Sequence, residues 1–231
     1  MNIQVISMSK DKSSLGTGLD SLLGDRTKPE GASVTLISVD ELSPGQFQPR
    51  TKMHKSTLEE LSQSIKEQGV LQPLIVRTLA SGRYEIVVGE RRWRAAQLAG
   101  LKDVPAIVRD LNNDETAKIA LIENLQREDL NALDQAKGLM RLQREFNLSQ
   151  EELGAAVGKS RPAVANLLRL LSLTEEVQIM LEEGKIEMGH ARALLSLGEE
   201  EQVECAKKVF SESLSVRECE SLVKGLSSAR K

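Results

Sequence analysis

Residues 149–171 read SQEELGAAVGKSRPAVANLLRLL, and this stretch decides the fold. Ser149-Gln150-Glu151-Glu152 is a capping box, with Ser and Glu three apart able to cap a helix start reciprocally. Leu153, Ala156 and Val157 follow on one side. Gly158-Lys159 is a tight turn, and Ser160 caps the next helix. Pro162 stands in that helix's first turn, where a missing N–H costs little. Helix, three-residue turn, helix is the length pattern of a helix-turn-helix. On the second helix Val164, Leu167, Leu168 and Leu171 form a buried stripe at i, i+3, i+4, i+7. The opposite side presents Pro162, Ala163, Asn166 and Arg169, with Arg161 at the N-terminal end. No acidic residue lies between Lys159 and Leu173, in a chain whose net charge is −3. A DNA-facing helix must keep carboxylates away from phosphates and needs Arg and Asn to reach base edges or backbone. The same pattern also suits an ordinary helical hairpin with an arginine-bearing solvent face.

Outward from this motif, the C-terminal half reads as all-helical. Asn113 to Arg127 is one helix and Asn131 to Phe146 another, the latter with Leu133, Ala136 and Met140 on one side. Thr174 and Ser215 read as further N-caps, Ser215 in a third capping box with Glu218. Upstream the pattern is mixed. VTLISV from Val34 and VPAIV from Val104 are short strands, and LIVRTL and YEIVV, separated by Ala-Ser-Gly-Arg, read as a hairpin. Ser56 to Glu59 is a capping box for a helix faced by Leu58, Leu61 and Ile65 and ended by Gly69. Glu90 to Ala99 is a helix that stops at Gly100. The fold class is therefore α+β: a small α/β unit followed by an all-α helix-turn-helix domain. Residues 1–33 read as a disordered tail. Its Leu15, Leu19, Leu22 and Leu23 are either incidental or the face of a short helix that forms on a partner.

Composition narrows the function. Only five of 231 residues are aromatic, against a binder that stacks bases on aromatic platforms. The balance of 31 basic to 34 acidic residues excludes a bulk basic coat, so any nucleic-acid contact comes from a local patch. Cys205 and Cys219 are too few for a disulfide framework, and His54 and His190 too few for a histidine metal site. No apolar run approaches the ~18 residues of a membrane span, and the N-terminus lacks a signal-peptide core. The expectation is a cytoplasmic protein with reduced thiols and no membrane partner.

Gly89-Glu90-Arg91-Arg92-Trp93-Arg94-Ala95 follows the strand YEIVV and places three arginines at a helix start. Cations are disfavoured there, so the fold either pairs them with carboxylates or uses them with the free N–H groups to hold an anion such as phosphate. A second polar group, Glu123, Asn124 and Arg127, interrupts the apolar face of Ala117, Ala120 and Leu121. Glu123 and Arg127 suit an i, i+4 surface pair, and Glu123 with Asn124 equally suits Mg²⁺ and phosphate-oxygen ligation.

These pieces together resemble the ParB family of chromosome and plasmid partitioning proteins. QPR (48–50), IKEQGVLQPLIVR (65–77), GERRWRA (89–95), ENLQRE (123–128), GKSRPAVANLLRLL (158–171) and GHARALL (189–195) stand in the family's order and spacing. The resemblance implies three regions: a tail (1–33) with a ParA-docking motif, a ParB/sulfiredoxin-like CTP-binding domain (34–126) and a domain (127–231) that reads the palindromic parS site. It implies CTP and Mg²⁺ as cofactors, and homodimers whose N-terminal domains close on CTP binding into a clamp that slides along double-stranded DNA. Slow hydrolysis of CTP to CDP and phosphate then reopens the clamp, at a nucleoid-associated location. By resemblance Gly89, Glu90, Arg91 and Arg92 hold phosphates, and Arg127 lies with the nucleotide-binding residues. Glu123 and Asn124 meet the Mg²⁺-bound phosphates. Gln48 and Arg50 lie on the γ-phosphate side, with Gln48 and Glu123 as the catalytic candidates. The turn at Gly69, Leu71, Gln72 and Pro73 reads cytosine, partly through its backbone. Gln150, Ser160, Arg161, Pro162, Asn166, Arg169, Gly189, His190 and Arg192 are the expected DNA-binding residues.

Two departures bear on partners. The family's ParA-docking motif usually carries a basic residue, as in LGRGLDALLG; residues 15–24 here read LGTGLDSLLG, with Thr17 in that place. ParA docking through 15–24 is expected, with Lys10 and Lys12 as substitutes for the missing cation. Family members also continue into a linker and a basic dimerisation domain, whereas this chain stops at Ala229-Arg230-Lys231, so the expectation is a truncated form without constitutive dimerisation. Rival readings are a plain helix-turn-helix regulator, a catalytic relative such as sulfiredoxin or a ParB-like kinase, and a nucleoid-occlusion paralogue. Sulfiredoxin needs a reactive Cys beside its phosphate segment, but neither Cys lies in the first 204 residues and both fall in helical apolar stripes. Arg161 and Gly189 look ParB-like where the nucleoid-occlusion paralogues differ, which favours parS.

Overall fold

The computed structural model describes residues 33–46, 55–127 and 130–229. The 15–24 motif, Gln48 and Arg50 lie outside the described residues. Short β-rich runs form β1 (Val34–Ser38), β2 (Leu42–Ser43), β3 (Leu74–Thr78), β4 (Tyr84–Val88) and β5 (Asp103–Arg109). They make one sheet in the order β1-β5-β3-β4-β2. β3 and β4 are the expected antiparallel hairpin, closed by Leu79 N–H donating to the Arg83 carbonyl at 2.8 Å. β3 runs parallel to β5, so the chain crosses over through α2 (Glu90–Leu98), which packs beside α1 (Lys55–Gln68). Ile65, Leu74, Val76, Ile86, Trp93, Val104 and Ala106 form the core between helices and sheet. The Trp93 indole N–H reaches the Val39 carbonyl at 3.2 Å, which satisfies its one polar atom.

The remaining elements are helices: α3 (Asn113–Leu125), α4 (Ala132–Phe146), α5 (Gln150–Val157), α6 (Arg161–Arg169), α7 (Glu175–Glu182), α8 (Met188–Leu194), α9 (Glu199–Ser211) and α10 (Val216–Ala229). Leu133, Leu139, Leu142, Leu153, Val164, Leu170 and Leu194 lie at the centre of their shared core. Val87 and Val88 at the end of β4, and Ile119, Ile122 and Leu125 of α3, bury into this same helical core. By packing, α3 therefore belongs with the helices, although it follows the sheet directly. Among the described residues no helix is long and apolar enough to cross a membrane.

The local signals hold with four adjustments. Ser149 and Glu152 close their box, as do Ser215 and Glu218, and Ser160 caps Ala163 N–H at 3.3 Å. The helix expected from Ser56 already begins at Lys55, so Ser56 stands inside its first turn rather than at the N-cap. α3 ends at Leu125, which leaves Arg127 beyond the helix. Thr174 occupies an N-cap position without a side-chain cap: its own N–H goes to Gln202 Oε1 at 3.1 Å. Finally, the chain tightens to a 3₁₀ turn over Leu170–Ser172, and three residues per turn bring Leu170 inward in place of Leu171, which is only half-buried. Cys205 and Cys219 are buried, and burial pushes the Cys205 thiol up and the Cys219 thiol up to about 11, which disfavours the thiolate form.

The turn between α5 and α6 closes on Gly154. Lys159 N–H donates to the Gly154 carbonyl at 2.8 Å, and a Cβ on Gly154 would stand 2.5 Å from the Lys159 carbonyl oxygen. Gly154→Ala must push backbone apart and should destabilise the protein by about 1–3 kcal/mol. Gly225, within α10, has nothing within 4 Å of such a Cβ. Gly225→Ala should stabilise by about 0.5–1 kcal/mol through helix propensity. Urea unfolding of both variants checks the opposite signs.

Candidate functional site

The α2 start, the 69–73 turn and the end of α3 converge on Arg92. Gly69 ends α1 in a left-handed conformation (φ 73°), and the chain turns through exposed Leu71 and Gln72 into β3. Arg92 Nη1 donates to the Gln72 carbonyl at 2.6 Å and to the Pro73 carbonyl at 2.8 Å. Burial pushes the Arg92 guanidinium below its ordinary value, and the charge of Glu123 opposes that shift. Glu123 is thus the carboxylate near enough to act on Arg92. Asn124 Oδ1 accepts from Arg127 Nη1 at 3.3 Å, so the second polar group is itself hydrogen-bonded.

Gly89 is the N-cap of α2 with φ 107°, a conformation that side chains rarely adopt. A Cβ there would lie 3.2 Å from both the Arg92 guanidinium carbon and Leu74 Cγ. The absence of a side chain is what lets the strand end close over Arg92. The expected choice between pairing and anion binding is resolved differently for each arginine. Arg94 pairs with Glu90, which is 7% exposed. Arg92 holds the neighbouring turn. Arg91 is half-buried and has no charged partner among the described residues. Together with the first-turn N–H groups, which have no intrahelical acceptor, Arg91 and Arg92 leave positive potential for an anion at this helix start. Among the described residues no group of three or more His, Cys, Asp and Glu is placed to hold a metal ion. Glu123 and Asn124 fit a Mg²⁺ held by one or two protein ligands and phosphate oxygens.

A second site lies on the helix-turn-helix. Ser160, Arg161, Pro162 and Arg169 are exposed, and Gln150 and Asn166 half-buried. A groove of about 480 Å³ runs between α4, α6 and α8, lined by Asn166, Arg192, Lys159, Gln135 and Met188. Asn166 and Arg192 are therefore brought together across helices. Lys159 and Gln135 share the groove but were not anticipated; Lys159 was signalled only by opening the acid-free stretch, and Gln135 by nothing local. Gly189 and His190 sit differently from the expectation. The space a Gly189 side chain would need is taken by Val216, 2.7 Å from the Cβ position. Gly189 is thus also the residue that lets α8 pack closely on α10. His190 is 6% exposed, and its Nδ1 accepts the Glu187 N–H at 3.1 Å, so it caps α8 from inside.

Residues 24–125 match the family model of the ParB N-terminal domain, and residues 128–228 match that of the ParB HTH domain. A probable chromosome-partitioning protein ParB from Neisseria meningitidis is 50% identical over 214 residues, which is 92% of this chain and 75% of that protein. The chain belongs to the ParB family. The corresponding ParB of Vibrio cholerae is 48% identical over 227 residues, covering 92% of this chain and 78% of that protein. Among solved structures, a C-terminally truncated ParB from Caulobacter crescentus complexed to the centromeric parS site is 42% identical. It matches 83% of this chain and 99% of its own, with TM-score 0.76. The same truncated ParB complexed with CTP-gamma-S is 44% identical over 77% of this chain and 98% of its own, with TM-score 0.40.

Because the Gly89 conformation and the Arg92 contact are both tight, Gly89→Ala should cost about 1–3 kcal/mol of stability. Thermal and urea unfolding check this, with Gly82→Ala, also at positive φ (79°) but in open space, losing less.

Proposed function

We propose that this ParB-family protein binds parS DNA through α5 and α6 and takes CTP at the Arg92 junction, using the nucleotide as a switch in chromosome partition. The observation that carries the DNA half is the exposed, acid-free α6 face beside the Asn166–Arg192 groove. The Caulobacter crescentus protein of matching shape was solved on parS, and this chain presents the same kind of element with Arg161 at its leading end. In that position Arg161 and Asn166 reach base edges, while Lys159, Arg169 and Arg192 meet phosphates. His190 and Gly189 act through packing that holds α8 in place.

For the nucleotide, Arg91, Arg92 and the amides after Gly89 would hold the phosphates, and the backbone of the 69–73 turn would read the base. Glu123 and Asn124 would hold Mg²⁺, which when bound supplies charge neutralisation on the phosphate oxygens. Gln48 orients the attacking water; an amide can do this although it is a poor general base. Turnover is slow hydrolysis of CTP to CDP and phosphate. CTP binding closes two N-terminal domains into a clamp that slides from parS, and residues 15–24 dock a ParA ATPase. These steps follow the family reading; the charge placement at α2 and α3 supports the nucleotide-binding part of it.

Two variants separate the sites. Arg161→Ala should cost about 1–3 kcal/mol on parS and less on scrambled DNA. Equal losses on both, by fluorescence anisotropy at fixed salt, would reduce Arg161 to a phosphate contact. Arg92→Ala should weaken CTP binding about 10- to 100-fold, as expected for a lost charge-assisted contact, and leave initial parS binding near wild type. Normal CTP binding by Arg92→Ala would misplace the phosphate site.

A further inference from the structure

The groove between α4, α6 and α8 holds a side chain that the reading above does not use. Gln135 belongs to α4, outside the helix-turn-helix, yet it lines the same groove as Asn166, Lys159 and Arg192. It is half-buried, and its Nε2 donates to the Leu130 carbonyl at 3.0 Å. That bond orients the carboxamide and uses one of its two N–H groups, which leaves the other N–H and Oε1 for a ligand. Beside it the groove wall is apolar, with Ala163 and with Met188, which is 43% exposed. No carboxylate lines the groove.

Lys159 and Arg192 account for phosphate, but an oriented amide beside an exposed methionine does not suit phosphate. A carbonyl oxygen repels a phosphate oxygen, and a thioether gives it nothing. In the DNA major groove the thymine methyl is the apolar group, and adenine presents an acceptor, N7, beside a donor, N6–H. A carboxamide meets that pair with one N–H and one oxygen. Guanine presents two acceptors and would set its O6 against the Gln135 oxygen. Amide and apolar wall therefore match the two halves of one A·T pair.

We propose that Gln135 is a specificity-determining residue of the DNA site. Its amide reads the adenine of one A·T pair in each parS half-site, and Met188 and Ala163 pack on the methyl of the paired thymine. The Leu130 bond holds the amide ready, so less side-chain freedom is lost on binding. Base readout thus extends beyond the helix-turn-helix onto α4. The proposal rests on the parS reading above.

The test measures binding of the whole chain by fluorescence anisotropy at fixed salt. The parS duplexes carry, one position at a time in both half-sites, 7-deazaadenine for adenine or uracil for thymine. The first replaces N7 by carbon, and the second removes the methyl. At one A·T pair the wild type should lose about five- to tenfold on 7-deazaadenine and about two- to fourfold on uracil. Gln135→Leu should bind unmodified parS more weakly and be indifferent to 7-deazaadenine at that pair alone. Met188→Ala should be indifferent to uracil there. Gln135→Glu can only accept, and should shift the preferred base at that position from adenine towards cytosine, whose N4–H₂ donates. A merely structural Gln135 would lower affinity for every duplex by one factor, and that result overturns the proposal. So does a Gln135→Leu protein that keeps wild-type sensitivity at every adenine, or one whose readout changes only at G·C pairs. If thermal unfolding shows that Gln135→Leu does not fold, Gln135→Glu decides alone, and an unchanged base preference overturns the proposal. Each of these outcomes leaves the parS reading standing. A wild type that binds parS no better than scrambled DNA overturns both.

Discussion

Helix α3 must satisfy two bodies at once, and the rest of the molecule is arranged around that constraint. Ile119, Ile122 and Leu125 are buried in the helical core, so the helix cannot slide without disturbing α4 and α5. One turn on, Glu123 acts on Arg92 at the start of α2. Gln126, at the C-cap, donates its side-chain N–H to the Ala156 carbonyl of α5 at 3.1 Å. Residues three and four apart share a helix face, so an apolar set and a polar set can point to different neighbours from one short helix. A displacement that changed the relation of Glu123 to Arg92 would also load the first helix of the helix-turn-helix. The two candidate sites are separate in sequence and joined by this one element.

The electrostatics of the α2 start follow from the same arrangement. Arginines in a helix's first turn oppose the macrodipole, and the fold manages each in its own way. Arg94 is neutralised within its helix by Glu90. Arg92 is tied to two carbonyls of the preceding turn, and the charge of Glu123 opposes the effect of its burial. Arg91 has no charged partner among the described residues. The glycine at 89 is the steric condition for all of this, because a side chain would separate the strand end from the guanidinium it covers.

Much of this was legible in the sequence, where the signal was local. The capping boxes at Ser149 and Ser215, the hairpin, and the α5–turn–α6 unit rest on residues three to eight apart, and they stand as read apart from the ±1 shifts at helix ends. The arginine cluster was legible as an unusual charge placement, and the family resemblance gave it a ligand. What the sequence hid depends on contacts distant along the chain. Gly189 was read on the DNA face, and its second constraint, the close packing on Val216, is one that no local pattern connects to it. His190 was named for the DNA face by the family resemblance, and its burial as a cap of α8 is not visible in any local pattern. The partnership of Arg77 with Glu85, and of that pair with Gln46 and Leu111, emerges only when the sheet brings the strands together.

The claim that matters most is that the junction of the 69–73 turn, the α2 start and the α3 end is a nucleotide site that reads both phosphate and base. Calorimetric titration of the protein with each of the four ribonucleoside triphosphates in Mg²⁺, with and without parS DNA, tests it directly. Saturable binding of CTP with no heat beyond dilution from ATP, GTP or UTP is the expected result, since the arginines meet phosphates common to all four and only the turn can discriminate. Equal binding of all four, or of none under either condition, would contradict it.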